Sequence, residues 1–101
     1  MRIRVEFGGG LHVLTGDRKV QHVDLPPLRE GSDAQWRMRD LLIWIRDNMI
    51  LVTPELFVRD ECLRPGILAL INDVDWEICG EYEAVLSDGD DIVFVSTLHG
   101  G

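Results

Sequence analysis

A two-layer α+β domain, a mixed sheet of four to five strands packed on one main helix, is what the sequence predicts. Three observations carry that prediction. Residues 2–7 alternate strictly between charged and apolar side chains, as a half-buried strand does. Met38, Leu41, Leu42, Ile45 and Met49 recur at the spacing of one helix face. Two further apolar runs, at 67–71 and 92–98, have strand length and are closed by turn residues. A chain of 101 residues can bury about 65% of its surface without metal or disulfide staples. One domain spanning 1–101, with a flexible tail from about 97, is therefore expected.

The first strand places Ile3, Val5 and Phe7 on one side and Arg2, Arg4 and Glu6 on the other. Gly8, Gly9 and Gly10 follow, a turn in which positive φ costs little. Residues 11–15 read as a second strand, Gly16-Asp17 as a turn, and 20–25 as strand again. Pro26 to Asp33 is the most loop-like stretch. Ser32 or Asp33 is the expected cap of a helix running over 34–50, because either side chain can accept from the free amides of a first turn. Pro54 limits that helix and starts one short helical turn over 53–57. The run 67–71 has no polar residue and suits a strand covered on both faces. Residues 76–78 read as a short edge strand, 87–91 as a polar turn, and 92–98 as the last strand. A helix before 67 permits a later strand to pair parallel with the first.

Charge removes several function classes. Ten Lys and Arg face 18 Asp and Glu, a net of −8. Nucleic-acid binding depends on basic residues that neutralise phosphate. Direct binding to nucleic acid or to an anionic membrane is therefore not expected, and a basic partner protein fits better. No apolar run approaches the roughly 20 residues of a membrane span. The N-terminus lacks a signal-peptide h-region. The expected location is the cytoplasm, with the nucleus also open to it. In that reducing setting Cys62 and Cys79 are expected as free, buried or half-buried, inert thiols.

Nothing in the sequence forms a self-contained catalytic site. GxSxG, HExxH and GxxxxGK[ST] are all absent. His12, His22 and His99 are dispersed, although the first two could face each other across the expected hairpin. Asp88, Asp90 and Asp91 flank Gly89 without calcium-loop spacing and read as a solvated turn. Trp36, Trp44 and Trp76 read as core material, Trp44 being the one of the three to consider as a contact residue.

The C-terminus has a different character. The chain ends Ser96-Thr97-Leu98-His99-Gly100-Gly101. Glycine has no Cβ, so such an end can enter a narrow channel in extended form. Five residues from Thr97 reach about 17 Å. That is enough to place the carboxylate of Gly101 inside another protein while the domain stays docked outside.

This tail on a hairpin-helix-sheet plan resembles the β-grasp, ubiquitin-like proteins, and in detail the ubiquitin-related modifier family. The stretches that carry the resemblance are Val-Glu-Phe-Gly-Gly-Gly at 5–10, Leu-Leu-Ile-Trp-Ile at 41–45 and Pro-Glu-Leu-Phe at 54–57. Arg-Pro-Gly-Ile-Leu-Ala-Leu-Ile-Asn-Asp at 64–73, Asp-Trp-Glu at 75–77 and Ser-Thr-Leu-His-Gly-Gly at 96–101 complete them. The resemblance implies a β-grasp fold and a carrier rather than an enzyme, with no cofactor bound. A partner adenylyltransferase and sulfurtransferase would use MgATP to adenylate Gly101 and convert it to a thiocarboxylate. Two fates are implied: sulfur donation, through a tRNA thiolation complex, to the wobble uridine of cytosolic tRNA, and isopeptide linkage of Gly101 to target-protein lysines.

Within that scheme Gly100 gives the bare approach and Leu98 anchors the tail root. His99 positions the tail, serves as a recognition element, or is a solvent-exposed spacer. Lys19, the only lysine, is the candidate self-conjugation acceptor beside the N-terminal amine. An apolar patch on the outer sheet face, including outward positions of 67–71, is expected to dock the activating enzyme. Two alternatives use the same fold: a small subunit of a molybdopterin-synthase-like enzyme, and a binding module with an inert tail. Nothing in the sequence demands more than a monomer.

Overall fold

The computed structural model describes residues 1–31 and 33–97. Strand β1 (Arg2–Gly8) buries Ile3, Val5 and Phe7 and turns Arg2, Arg4 and Glu6 outward, as the alternation requires. It pairs antiparallel with β2 (Val20–Asp24), Arg4 opposite His22. On its other side it pairs parallel with the last strand, β7 (Asp91–Ser96), Val5 beside Ile92. Strand β5 (Ile67–Ile71) lies antiparallel to β7, with Ala69 opposite Phe94, and the two-residue β6 (Val74–Asp75) closes that edge. The order β2-β1-β7-β5-β6 makes a mixed sheet with its parallel pair at the centre. Helix α1 (Met38–Asn48) buries Met38, Leu41, Leu42 and Ile45 in the core beneath this sheet. This is the expected β-grasp architecture.

Three phenylalanines lock the core. Phe7, Phe57 and Phe94 are buried with ring centroids 5.0–5.9 Å apart, two of the three contacts being edge-to-face. Phe57 follows the short helical turn Pro54–Leu56, as expected, and so brings the chain between α1 and β5 into the core.

Several local expectations are corrected. The helix starts at Met38, four residues after the predicted 34. Arg37 is extended and forms an isolated bridge with Val85, flanked by Met38 N–H to Ala84 O (2.9 Å) and Leu86 N–H to Trp36 O (2.9 Å). Sheet-like pairing therefore claims the backbone that would have been the first helical turn. The cap comes from inside the helix: Asp40 Oδ2 accepts from the Arg37 amide at 2.9 Å. Asp33 is not the cap, and Ser32 lies outside the described residues.

Residues Leu11–Thr15 form a 3₁₀ turn, not a strand. Gly10 (φ +91°) and Gly16 (φ +68°) bracket it in the left-handed region. The buried Thr15 hydroxyl lies 3.0 Å from His12 O and 2.7 Å from Arg18 O. These local bonds satisfy the backbone that a strand would have offered to a neighbour. His12 and His22 consequently do not face each other across a hairpin.

The segment expected as an edge strand at 76–78 is a single helical turn, α2 (Trp76–Cys79), capped by Asp75 Oδ1, which accepts from Glu77 N–H at 2.9 Å. The edge strand is β6, just before it. A second small hairpin, β3 (Val58–Arg59) with β4 (Cys62–Leu63), had no sequence expectation. The run 67–71 is covered on one face only. Ala69 and Ile71 are buried, whereas Ile67, Leu68 and Leu70 are half-buried. Cys62 and Cys79 are free, as expected, but exposed rather than buried.

Candidate functional site

The site is the root of the C-terminal tail. Strand β7 emerges from the middle of the sheet, held on both sides to its end: Val95 lies beside Gly8 and opposite Leu68, and Ser96 opposite Ile67. One residue further, Thr97 donates to the carbonyl of Gly66 twice, from its amide at 2.8 Å and its hydroxyl at 2.7 Å. Gly9 packs against the same point. A Cβ added there would meet Ser96 N at 2.9 Å and run into its carbonyl oxygen. The absence of a Cβ at Gly9 thus lets β1 close directly onto the end of β7. Leu98, His99, Gly100 and Gly101, the residues sequence reasoning singled out, lie outside the described residues.

Beside the root, the outer sheet face carries an apolar quartet. Leu68 and Val95 are cross-strand partners, as are Leu70 and Val93, and all four are half-buried. This is the patch expected from the apolar run. A charged cluster bounds it at the end of β7 away from the tail, where Arg4 pairs with Asp91 at 2.7 Å and with Glu6 at 2.6 Å. Both acidic partners raise the Arg4 pKa above its ordinary value, Asp91 most strongly. The face is therefore patterned, aliphatic toward the tail and ionic away from it.

A family model for Urm1, the ubiquitin related modifier, matches residues 2–101. The chain belongs to the ubiquitin-related modifier family. It is 50% identical over 101 residues to a ubiquitin-related modifier 1 homolog of Chlamydomonas reinhardtii, covering all of this chain and 99% of that one. It is 48% identical to ubiquitin-related modifier 1 of Homo sapiens, again over all of this chain and 96% of that one. Among solved structures it is similar to Urm1 of Trypanosoma brucei, with a TM-score of 0.79, 34% identity, and 99% and 95% of the two chains covered.

Within this Urm1 frame the other candidate residues have placed, mostly structural, roles. Asp88 accepts from Arg2 N–H at 2.7 Å, and Asp90 accepts from Ser87 N–H at 2.7 Å and from the Asn72 side chain at 2.9 Å, so the acidic turn organises itself. Among the described residues no group of three His, Cys, Asp or Glu could hold a metal ion. Trp36 and Trp76 are core, as expected, and Trp44 is half-buried against it. Lys19 is exposed, next to β2, and its carbonyl accepts from Phe7 N–H at 2.7 Å. The N-terminal amine donates to Leu25 O at 3.1 Å and is partly buried.

Sequence reasoning missed one feature of this end of the molecule. A groove of about 480 Å³ opens beside Ser96, between the 3₁₀ turn at Leu11–Thr15 and the loop at 64–65. The strand expected at 11–15 gave no sign of it, because the groove is formed by the 3₁₀ turn that the segment adopts instead.

Proposed function

We propose that this Urm1-family chain is a sulfur carrier and protein modifier whose reacting group is the carboxylate of Gly101. The observation that carries the reading is the pairing of a clamped strand end, at Thr97 and Gly66, with a sequence that runs out in Gly100-Gly101. A rigid domain fixed that close to its own reactive end supplies position rather than chemistry.

The chemistry belongs to a partner. A carboxylate oxygen of Gly101 attacks the α-phosphorus of MgATP, releasing pyrophosphate and leaving an acyl adenylate. The terminal sulfur of an enzyme persulfide attacks that carbonyl and AMP departs. A second enzyme thiol then attacks the enzyme-side sulfur of the acyl disulfide. The thiocarboxylate leaves and an enzyme disulfide forms. In the cytoplasm, or the nucleus, the thiocarboxylate gives its sulfur through a tRNA thiolation complex to a wobble uridine in exchange for the C2 oxygen, so that Gly101 ends as a carboxylate, or its acyl group to a lysine amine of a target, with hydrosulfide leaving. Gly100 keeps the approach free of side chains, Leu98 anchors the tail root and His99 serves in recognition. The quartet Leu68, Leu70, Val93 and Val95 docks the activating enzyme. Lys19 is the self-conjugation acceptor, favoured over the N-terminal amine because that amine is engaged with Leu25 O.

Intact mass of the protein after incubation with ATP, a sulfur donor and the activating enzyme tests the reading. Replacement of one oxygen by sulfur, mapped by fragmentation to Gly101, is expected. A persistent free carboxylate overturns it.

A further inference from the structure

We propose that the groove beside the tail root is a second docking surface for the activating enzyme, separate from the sheet-face quartet, and that it receives an apolar segment of that enzyme carrying a carboxylate. The inference rests on the carrier reading, and adds to it where the partner must stand.

Leu11 and Leu14 line the groove from the 3₁₀ turn, Leu56 from the helical turn Pro54–Leu56, Pro65 from the loop before β5, and Ile67 and Ser96 from the sheet. Among the described residues Arg64 is the only charged side chain lining it, and its guanidinium also donates to Glu55 O at 3.2 Å. Val13 (60% exposed) and Leu56 (42%) stand at its lip. Leu51 (69%) and Val52 (50%) continue the apolar surface, Leu51 N–H being bonded to Leu14 O at 2.7 Å. Four of the eight exposed large hydrophobic side chains among the described residues are therefore gathered at this one end. Apolar patches of this kind mark interaction surfaces.

The chain's own length says what covers it. Ser96 lines the groove, and Gly101 is five residues further, at most about 17 Å of extended chain. A protein that closes an ATP site around the carboxylate of Gly101 must stand within that distance of the groove. Exposed aliphatic groups there would lose water on docking, and Arg64 would meet a carboxylate at the apolar surface, where such a pair sets register. The turn that presents Val13 is held by Thr15 and fixed between two left-handed glycines, so little ordering entropy opposes docking.

The test is ATP–pyrophosphate exchange by the purified activating enzyme with the full-length chain as varied substrate. Val13→Asp and Leu56→Asp are expected to raise the KM for the chain about tenfold or more, with kcat unchanged at saturation, the size of effect that loss of an apolar anchor gives. Ile78→Asp, exposed on α2 and absent from the groove, is expected to behave as wild type. Circular dichroism and thermal unfolding check each fold, and Val13→Ser and Leu56→Ser replace any variant that fails. Wild-type KM in both groove variants overturns the proposal. So does a concentration-dependent dimer that Val13→Asp dissolves, which assigns the groove to a second copy. No exchange with the wild-type chain refutes the carrier reading itself, and the inference falls with it.

Discussion

Thr97 donates both its amide and its hydroxyl to the one carbonyl of Gly66, at 2.8 and 2.7 Å. The arrangement ties the last described residue of the chain to the loop that precedes β5. It fixes the end of β7 against the loop before β5. Thr97→Val keeps the shape and the amide bond but removes the hydroxyl. It is expected to cost about 1 kcal/mol or less, the worth of one exposed hydrogen bond. Urea unfolding measures that cost. Native-state amide exchange should show faster exchange at residue 97 and unchanged exchange at Phe94, since only the strand end loosens.

Gly9 and Gly10 make a sharper contrast. Both have positive φ, +64° and +91°, so alanine is strained at either by about 1–3 kcal/mol. A Cβ on Gly10 meets open space, whereas one on Gly9 meets the Ser96 backbone. Gly10→Ala is therefore expected to pay only the conformational cost. Gly9→Ala must also push β1 away from the end of β7, and is expected to be at least about 2 kcal/mol less stable than Gly10→Ala, because overpacking costs that much when backbone has to shift. Chemical denaturation of the two variants side by side decides it. Equal midpoints would mean that β1 does not close on Ser96 in solution.

The parts of the fold that periodicity controls were legible in the sequence. Ile3, Val5 and Phe7 on β1, and Met38, Leu41, Leu42 and Ile45 on α1, are buried as their spacing requires. The segments that escaped are those where a single side chain or a left-handed residue outweighs pattern. Thr15 folds 11–15 into a local turn through its own hydroxyl. The β3–β4 hairpin turns at Asp60 and Glu61, with φ of +53° and +64°. The usual hairpin signal is Asn-Gly or Asp-Gly, so Asp-Glu in that conformation gave none. Asp75 capping Glu77 made a helical turn of what looked like strand.

The sheet-face quartet yields a prediction independent of the groove. Leu68 is half-buried on the outer face, opposite Val95, while its neighbour Ala69 is fully buried on the inner one. A charge at 68 therefore points away from the core and leaves α1 packing untouched. Leu68→Asp is expected to reduce kcat/KM for adenylation about 100-fold, roughly 2.7 kcal/mol of lost docking, with a near-native thermal midpoint. The same substitution at Ala69 should unfold the protein, because it buries an unpaired carboxylate. Undiminished adenylation of a folded Leu68→Asp would move the docking face elsewhere.

Lys19 offers the narrowest chemical test. It is the only lysine among 101 residues, it is exposed, and its carbonyl accepts from Phe7 N–H at 2.7 Å. Replacing its side chain therefore leaves the β1–β2 connection intact. The other amine, at Met1, is held against Leu25 O and partly buried, which limits its approach to an acyl carbon. With thiocarboxylated protein as acyl donor, self-conjugates are expected to form at Lys19, where the ε-amine expels the sulfur and an isopeptide bond results. Lys19→Arg keeps the positive charge but has a guanidinium that stays protonated, so it should abolish those conjugates while leaving adenylation and thiocarboxylate formation at wild-type levels. Denaturing gels and peptide mass mapping read both outcomes. Conjugates that persist undiminished in Lys19→Arg would place the acceptor at the N-terminus.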